Sequence, residues 1–196
     1  MPYCLHCGHS AIYQIPDGDS RKRLVCSSCG YIHYENPKVV TGVLALHQGK
    51  ILLCKRAIEP RLGFWTLPAG FMELGETMEQ GALREMVEEA DAVGIHPRLY
   101  CLYDLPKVGQ IHVFYLVDIQ NGAFGVGSES LDSALFALDD LPWDDISFRT
   151  VAQTLRYYLA DKERFGDDVS SYPIHEMAFW DKPVYVNSDR HSKDSI

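Results

Sequence analysis

The sequence predicts an α/β protein, preceded by a small module that a metal ion rather than a core holds together. Three observations predict it. Two Cys-x-x-Cys-Gly knuckles stand at Cys4, Cys7, Gly8 and at Cys26, Cys29, Gly30. Runs rich in β-branched and aromatic residues lie between Val39 and Ala137, bounded by Gly and Pro turns. Apolar residues recur with helical period from Thr77 and again from Phe148.

The bulk properties set limits on function. A chain of 196 residues can bury one full core with room for a small extra domain. A hydrophobic fraction of 46% with 23% charged residues is ordinary for a soluble globular protein. The net charge of −9 disfavours a nucleic-acid partner, which needs a basic surface, but permits a small anionic substrate whose charge is met by metal ions. No apolar run is long enough to span a bilayer, so no membrane partner is expected. No export-signal pattern opens the sequence, and six cysteines without one point to a reducing, cytoplasmic setting in which thiols bind metals more often than they pair.

Residues 1–36 form the first domain. Two knuckles separated by 18 residues have the spacing of a structural zinc site, with Cys4, Cys7, Cys26 and Cys29 as four thiolates around one ion. Gly8 and Gly30 permit the tight turns that aim N–H groups at the sulfurs. A module of this size cannot fold by apolar burial alone, so the zinc supplies folding energy. His6, His9 and His33 are redundant as ligands and are read as solvent-facing or loop residues. Arg21, Lys22 and Arg23 are read as a solvated strand edge. Pro16-Asp17-Gly18-Asp19 is a turn, and Tyr34-Glu35-Asn36-Pro37 a linker.

Residues 37–165 form the second domain. Val39–Leu46 and Lys50–Arg56 read as a hairpin about Gln48-Gly49, with Cys54 a small buried residue. Gly63–Gly70 leads into a loop. Thr77 and Gln80 fit a capping box at a helix start. Met78, Ala82, Met86 and Ala90 make a core-facing row, widened by Leu83 and Val87. Glu85, Glu88 and Glu89 share an arc of roughly 100° centred well away from that row. Arg84 is the only cation in the helix. Like charges this close destabilise a helix unless something strongly positive binds them, and a divalent ion with oxygen ligands is the obvious candidate. Gly81 lies between the carboxylates, and a mid-helix Gly costs about 1 kcal/mol against Ala, so it is read as leaving room for a ligand.

Leu99–Leu105 and Gln110–Ile119 are two strands about the turn Pro106–Gly109, with His112 a satisfied core or edge histidine. Gly125–Ser130 is a flexible loop, Leu131–Ala137 a strand, and Phe148–Phe165 the closing amphipathic helix. Residues 166–196 are a tail with aromatic patches at Tyr172, Phe179, Trp180 and Tyr185 that cover the core or a neighbouring subunit. Its last part is expected to be disordered.

Gly70, then Glu76, then Arg84-Glu85-Met86-Val87-Glu88-Glu89 resembles the Nudix box, the loop-helix-loop of the Nudix hydrolases. These enzymes cleave diphosphate bonds in nucleoside diphosphates linked to another moiety, with magnesium or manganese. One position departs: Asp91 stands where the family has Gly, at a helix end that wants a left-handed residue. Asp tolerates that conformation. With the upstream knuckles and the downstream Ser128-Glu129-Ser130, the layout of 1–165 is similar to the zinc-ribbon Nudix proteins of the FAD and ADP-ribose pyrophosphatase type. The resemblance implies an α/β/α sandwich with a mixed sheet. It implies that Glu85, Glu88, Glu89 and the Gly70 carbonyl hold Mg²⁺ or Mn²⁺. Glu85 or Glu129 would be the base, Arg84 would orient a carboxylate, and Glu76 would pair with Arg84. Substrate contacts would come from Trp65, Phe64 and Phe71, although packing is the safer reading for one of Phe64 and Trp65. The Ser-Gln-Pro-Trp-Pro-Phe-Pro-x-Ser motif of NADH pyrophosphatases is missing, which argues against reduced nicotinamide dinucleotide. Other dinucleotides, nucleotide sugars and a non-catalytic nucleotide sensor stay open, and the resemblance allows a homodimer.

Overall fold

The computed structural model describes residues 2–180, so the expectations for Tyr185 and for a disordered end lie outside the described residues. Two compact units meet at Pro37 and Lys38. In the first, β1 (Ala11–Gln14), β2 (Arg23–Cys26) and β3 (Ile32–His33) form an antiparallel sheet. The turn between β1 and β2 closes with the Asp19 N–H donating to the Pro16 carbonyl at 3.0 Å.

All four knuckle cysteines are free of disulfides, and their sulfurs lie within 4.8 Å of one another. Cys4 Sγ is 3.8 Å from Cys29 Sγ, and Cys7 Sγ is 3.5 Å from Cys26 Sγ. A tetrahedral zinc with bonds of about 2.3 Å spaces its sulfurs about 3.8 Å apart, so the cluster fits the ion. The N–H groups of His6 and Ser28 donate to Cys4 Sγ at 3.3 Å and to Cys26 Sγ at 3.4 Å. The N–H of Cys29 does most to hold the Cys26 thiol down at about 6, against its desolvation. Among the described residues of this unit the buried hydrophobic core is Cys4, Ala11, Val25 and Cys26, with Cys7 and Leu24 packed against the cluster. Elemental analysis is therefore expected to find about one zinc per chain; a folded, metal-free preparation would contradict the site.

The second unit begins with β4 (Lys38–His47) and β5 (Lys50–Arg56), a hairpin. Short strands β6 (Trp65–Thr66) and β7 (Ala69–Phe71) pair with β5 and β4. Helix α1 (Met78–Ala90) follows, then β8 (Gly94–Leu105), β9 (Gln110–Ile119), β10 (Ser130–Phe136), α2 (Arg149–Phe165) and β11 (His175–Ala178). The main sheet runs β10-β5-β4-β9-β8-β11. It is mixed, because β4–β9 and β8–β11 are parallel and the other neighbours antiparallel.

Alternation along the central strands divides the core in two. Val43, Ala45, Leu52, Cys54, Val113, Tyr115 and Val117 pack with Ala82, Met86 and Ala90 of α1. Leu44, Ile51, Leu53, Phe114 and Leu116 pack with Val151, Leu155 and Tyr158 of α2. The result is one helix on each face of a mixed sheet. Tyr172 and Phe179 join the α2-side core, so these two aromatics after α2 cover the sheet, whereas Trp180 is exposed. Buried Asp161 of α2 ties this segment down, with Tyr100 Oη and His175 Nε2 each 2.7 Å from its Oδ2. Among the described residues no helix is long and apolar enough to cross a membrane.

Candidate functional site

Helix α1 starts as its sequence indicates. Gln80 N–H donates to Thr77 Oγ1 at 3.1 Å, and Thr77 N–H donates to Gln80 Oε1 at 2.8 Å. It ends at Asp91, left-handed at φ 45 and ψ 42, whose N–H donates to the Val87 carbonyl. Its burial differs from the expected pattern. Met78 and Val87 are exposed at 39% and 47%. The buried arc is instead two adjacent rows, Gly81–Glu85–Glu89 and Ala82–Met86–Ala90. The first row faces β7 and the segment after β9, which close over it.

Gly81 leaves room for protein rather than for a ligand. A Cβ there would lie 2.6 Å from Glu76 Oε1 and 2.8 Å from Thr41 Cγ2. Gly70 likewise admits the Glu85 carboxylate, which would stand 2.3 Å from a Cβ.

Arg84 sits at the centre of a saturated network. Its Nε donates to Glu76 Oε2 at 3.0 Å and its Nη2 to Glu76 Oε1 at 2.9 Å. Nη1 donates to Glu85 Oε1 at 2.7 Å and to Glu88 Oε2 at 2.9 Å, and Nη2 also reaches the Phe71 carbonyl at 3.1 Å. The Arg84 fork, helped by the Glu73 N–H, holds the Glu76 carboxyl down at about 2. With its donors engaged by the protein, Arg84 positions carboxylates and clamps the β7–α1 loop.

Glu89 has far less support. It is 5% exposed, and among the described residues its carboxylate accepts one hydrogen bond, from the Ala69 N–H at 3.1 Å. Burial pushes its pKa up to about 8, with the Ala69 N–H opposing and Glu85 adding repulsion. Burial also raises Glu85, while Arg84 opposes and the Glu88 and Glu129 charges add to the rise. Arg84 on Glu85 and the Arg56 charge on Glu89 do not offset burial, and a buried carboxylate left under-compensated is costly. The cluster Glu85, Glu88, Glu89 therefore offers hard oxygen ligands to a divalent cation. A carboxyl raised on folding favours the native state fully below its unfolded value, near 4.5, and that contribution is lost as pH rises through about 8. Without added divalent ion, Tm is expected to fall between pH 5 and pH 8, and Mg²⁺ to restore more of it at pH 8 than at pH 5. Equal Mg²⁺ shifts at both pH values would contradict this.

Glu129 comes to the same place from the segment after β9. That segment is pinned rather than loose. Gly125 N–H donates to the Ala90 carbonyl at 2.6 Å and Gly127 N–H to the Glu89 carbonyl at 3.0 Å. Ser130 Oγ donates to the Glu89 carbonyl at 2.7 Å, and the Ala57 N–H holds the Glu129 carbonyl at 2.9 Å. The last turn of α1 is thus capped by the segment that carries Glu129.

These groups line a cleft of about 850 Å³ that also includes Gly70, Phe71, Arg56, Gln110, His112 and Phe148. Phe64 and Trp65 do not line it. Phe64 is buried, with the Arg61 guanidinium 3.7 Å from its ring centroid. Trp65 meets Phe136 edge-on at 4.9 Å and packs on the α2-side core. Lining residues that the sequence did not single out for the site are Arg56, Gln110 and Phe148, while His112 is a satisfied histidine that also faces the cleft. None carries a local motif; β5, β9 and the start of α2 bring them together.

Comparison with known proteins decides the family. A model described as the NUDIX domain matches residues 36–161, and a zinc-ribbon model described as Nudix N-terminal matches residues 2–35. The chain belongs to the Nudix hydrolase family. This Nudix protein is 31% identical over 119 residues to an ADP-ribose pyrophosphatase of Methanocaldococcus jannaschii, covering 57% of the chain and 69% of the relative. It is 27% identical over 142 residues to the NAD-capped RNA hydrolase NudC of Escherichia coli O157:H7, covering 71% of the chain and 53% of the relative. It therefore spans about half the length of the NudC protein it matches. A solved Nudix hydrolase from Nitrosomonas europaea superposes with a TM-score of 0.85 at 40% identity, covering 91% of this chain and 99% of that one.

Proposed function

We propose that this Nudix hydrolase uses Mg²⁺ or Mn²⁺ to hydrolyse the diphosphate bond of a nucleoside diphosphate linked to another moiety, with ADP-ribose or FAD as substrate and AMP as a product. One observation carries the reading: Glu85 and Glu89 are buried beside the exposed Glu88 and raised in pKa, because the Arg84 contact to Glu85 and the Arg56 charge near Glu89 do not offset their burial. Glu85, Glu88, Glu89 and the Gly70 carbonyl would hold the ions. Bound there, the ions would neutralise the diphosphate and stabilise the leaving phosphate.

The chain's own residues divide the remaining work. Arg84, locked to Glu76, keeps the Glu85 and Glu88 carboxylates in place. Phe71 forms one wall of the substrate cleft. Glu85 or Glu129 takes the proton from the attacking water. Glu129 is exposed and carries no Arg84 contact, whereas Glu85 Oε1 is already engaged by Arg84. Water adds to one phosphorus, the bridging oxygen leaves with the other, and ADP-ribose yields AMP and ribose 5-phosphate; FAD yields AMP and FMN. The named relative, an ADP-ribose pyrophosphatase, supports the first substrate; FAD rests on the resemblance in layout. A panel of ADP-ribose, FAD, other dinucleotides and nucleotide sugars, with Mg²⁺ or Mn²⁺ and phosphate-free controls, tests the reading. Release of AMP from ADP-ribose or FAD is expected; no metal-dependent cleavage of any diphosphate would overturn it.

A further inference from the structure

The cleft has a second wall, from which the Arg56 charge also reaches Glu89 and opposes the rise of its pKa. It is built by the end of β5, the start of β9 and the first turn of α2. Phe148 presents an aromatic ring there. The Arg56 guanidinium lies 5.2 Å from that ring's centroid, and Arg56 Nε donates to the Pro60 carbonyl at 2.9 Å. The planar cation is thus held in one place beside an aromatic face.

Below them runs a neutral polar chain. His112 is 7% exposed, and burial pushes its pKa down to about 4, so the imidazole is uncharged at neutral pH. Its Nε2 lies 2.9 Å from Gln110 Oε1, and its Nδ1 lies 3.2 Å from Thr150 Oγ1. An amide oxygen only accepts, so as placed Nε2 carries the proton and Nδ1 accepts from the Thr150 hydroxyl. The Gln110 amide N–H groups are then left as the donors this chain offers to a ligand. Val151 and Phe114 complete an apolar surround.

Such a wall suits a flat, uncharged heteroaromatic ring with acceptor nitrogens. Glu59 lines the same cleft, so the Phe148 ring and the Gln110 amide, rather than the charges, set this wall apart. We infer that this wall is the nucleobase slot: Phe148 and Arg56 stack the base of the AMP half, and Gln110 donates to its edge. The inference rests on the diphosphate reading of the same cleft, which places the AMP phosphate at the carboxylates. It assigns Phe148, Arg56 and Gln110 to substrate specificity.

Calorimetry with AMP, ribose 5-phosphate and FMN tests the slot without requiring turnover. The parent should bind AMP more tightly than ribose 5-phosphate. Phe148→Ala should weaken AMP about tenfold or more, as loss of base stacking does, and leave ribose 5-phosphate unchanged. Gln110→Ala should also weaken AMP alone; because it takes the acceptor from buried His112 Nε2, its Tm is measured before the titration. Equal affinity of the parent for AMP and ribose 5-phosphate would overturn the slot. So would equal losses for both ligands in the variants, or loss of FMN binding without loss of AMP binding. Metal-dependent hydrolysis by the parent is scored separately. Cleavage without base-dependent binding sinks only the slot, and base-dependent binding without cleavage sinks only the enzymatic reading.

Discussion

Glu89→Gln is expected to abolish hydrolysis by a well-folded protein. The amide keeps the volume of the carboxylate and can still accept the Ala69 N–H, now 3.1 Å from Glu89 Oε2. It lacks the charge that a divalent ion needs. Metal assistance is worth several kcal/mol in the transition state, so kcat/KM should fall about 10²-fold or more. Stability should move the other way. The wild-type carboxyl is 5% exposed and raised to about 8, so without divalent ion at pH 8 the protein carries a buried, poorly compensated charge. Removing it should leave Tm unchanged or raised. Glu89 is then a residue retained at a cost to folding, as functional groups often are. Parental activity in purified Glu89→Gln would refute its role; a collapse of Tm would show a structural one instead.

Gly127→Ala is expected to produce the second large effect, through the backbone. A Cβ at this position would stand 1.8 Å from the Glu88 carbonyl oxygen and 2.8 Å from the Glu89 carbonyl carbon. Neither belongs to a flexible side chain, so the segment must move away from the end of α1. That breaks the Gly127 N–H bond to Glu89 and shifts Glu129, two residues on. Overpacking of this kind costs about 1–3 kcal/mol, and in a chain of this size each kcal/mol lowers Tm by about 2–4 °C. Activity should fall as well, because the segment carrying Glu129 is displaced from Glu85 and Glu89. A Gly127→Ala protein with parental Tm and parental kcat would show that the clash relaxes without moving the site.

The contrast between these positions shows what is legible in the sequence. Thr77, Gln80 and the Glu76–Arg84–Glu85–Glu88–Glu89 spacing are local, and local patterns carry helix starts and clustered side chains directly. The paired knuckles are equally local, and their sulfurs do converge. The strands and the helix on each sheet face follow from alternation and from helical period. The burial of Glu85 and Glu89 does not. Helical period identifies a row of apolar residues, but the second buried row of α1 is covered by segments distant in sequence, from β7 and from 125–130. For the same reason the sequence reads Gly81 as room for a ligand, whereas Glu76 and Thr41 fill its space, and reads the Gly127 segment as a flexible loop, whereas it is hydrogen-bonded to the end of α1. Trp65 and Phe64 have the chemistry of base-stacking residues, but the strand pairing and core packing of Trp65 and the burial of Phe64 leave neither lining the cleft. Phe148, Arg56 and Gln110 are ordinary in the sequence and meet only because of the fold.

The most direct measurement is a Mn²⁺ titration followed by electron paramagnetic resonance, on the zinc-loaded parent and on Glu89→Gln, at pH 6 and pH 8.5. Protons compete with the ion for a carboxyl raised to about 8, so the parent should bind Mn²⁺ more tightly at pH 8.5 than at pH 6. Glu89→Gln should bind weakly at both and lose most of that pH dependence. Equal Mn²⁺ affinity in parent and variant, with the same pH dependence, would contradict a divalent-ion site at these carboxylates.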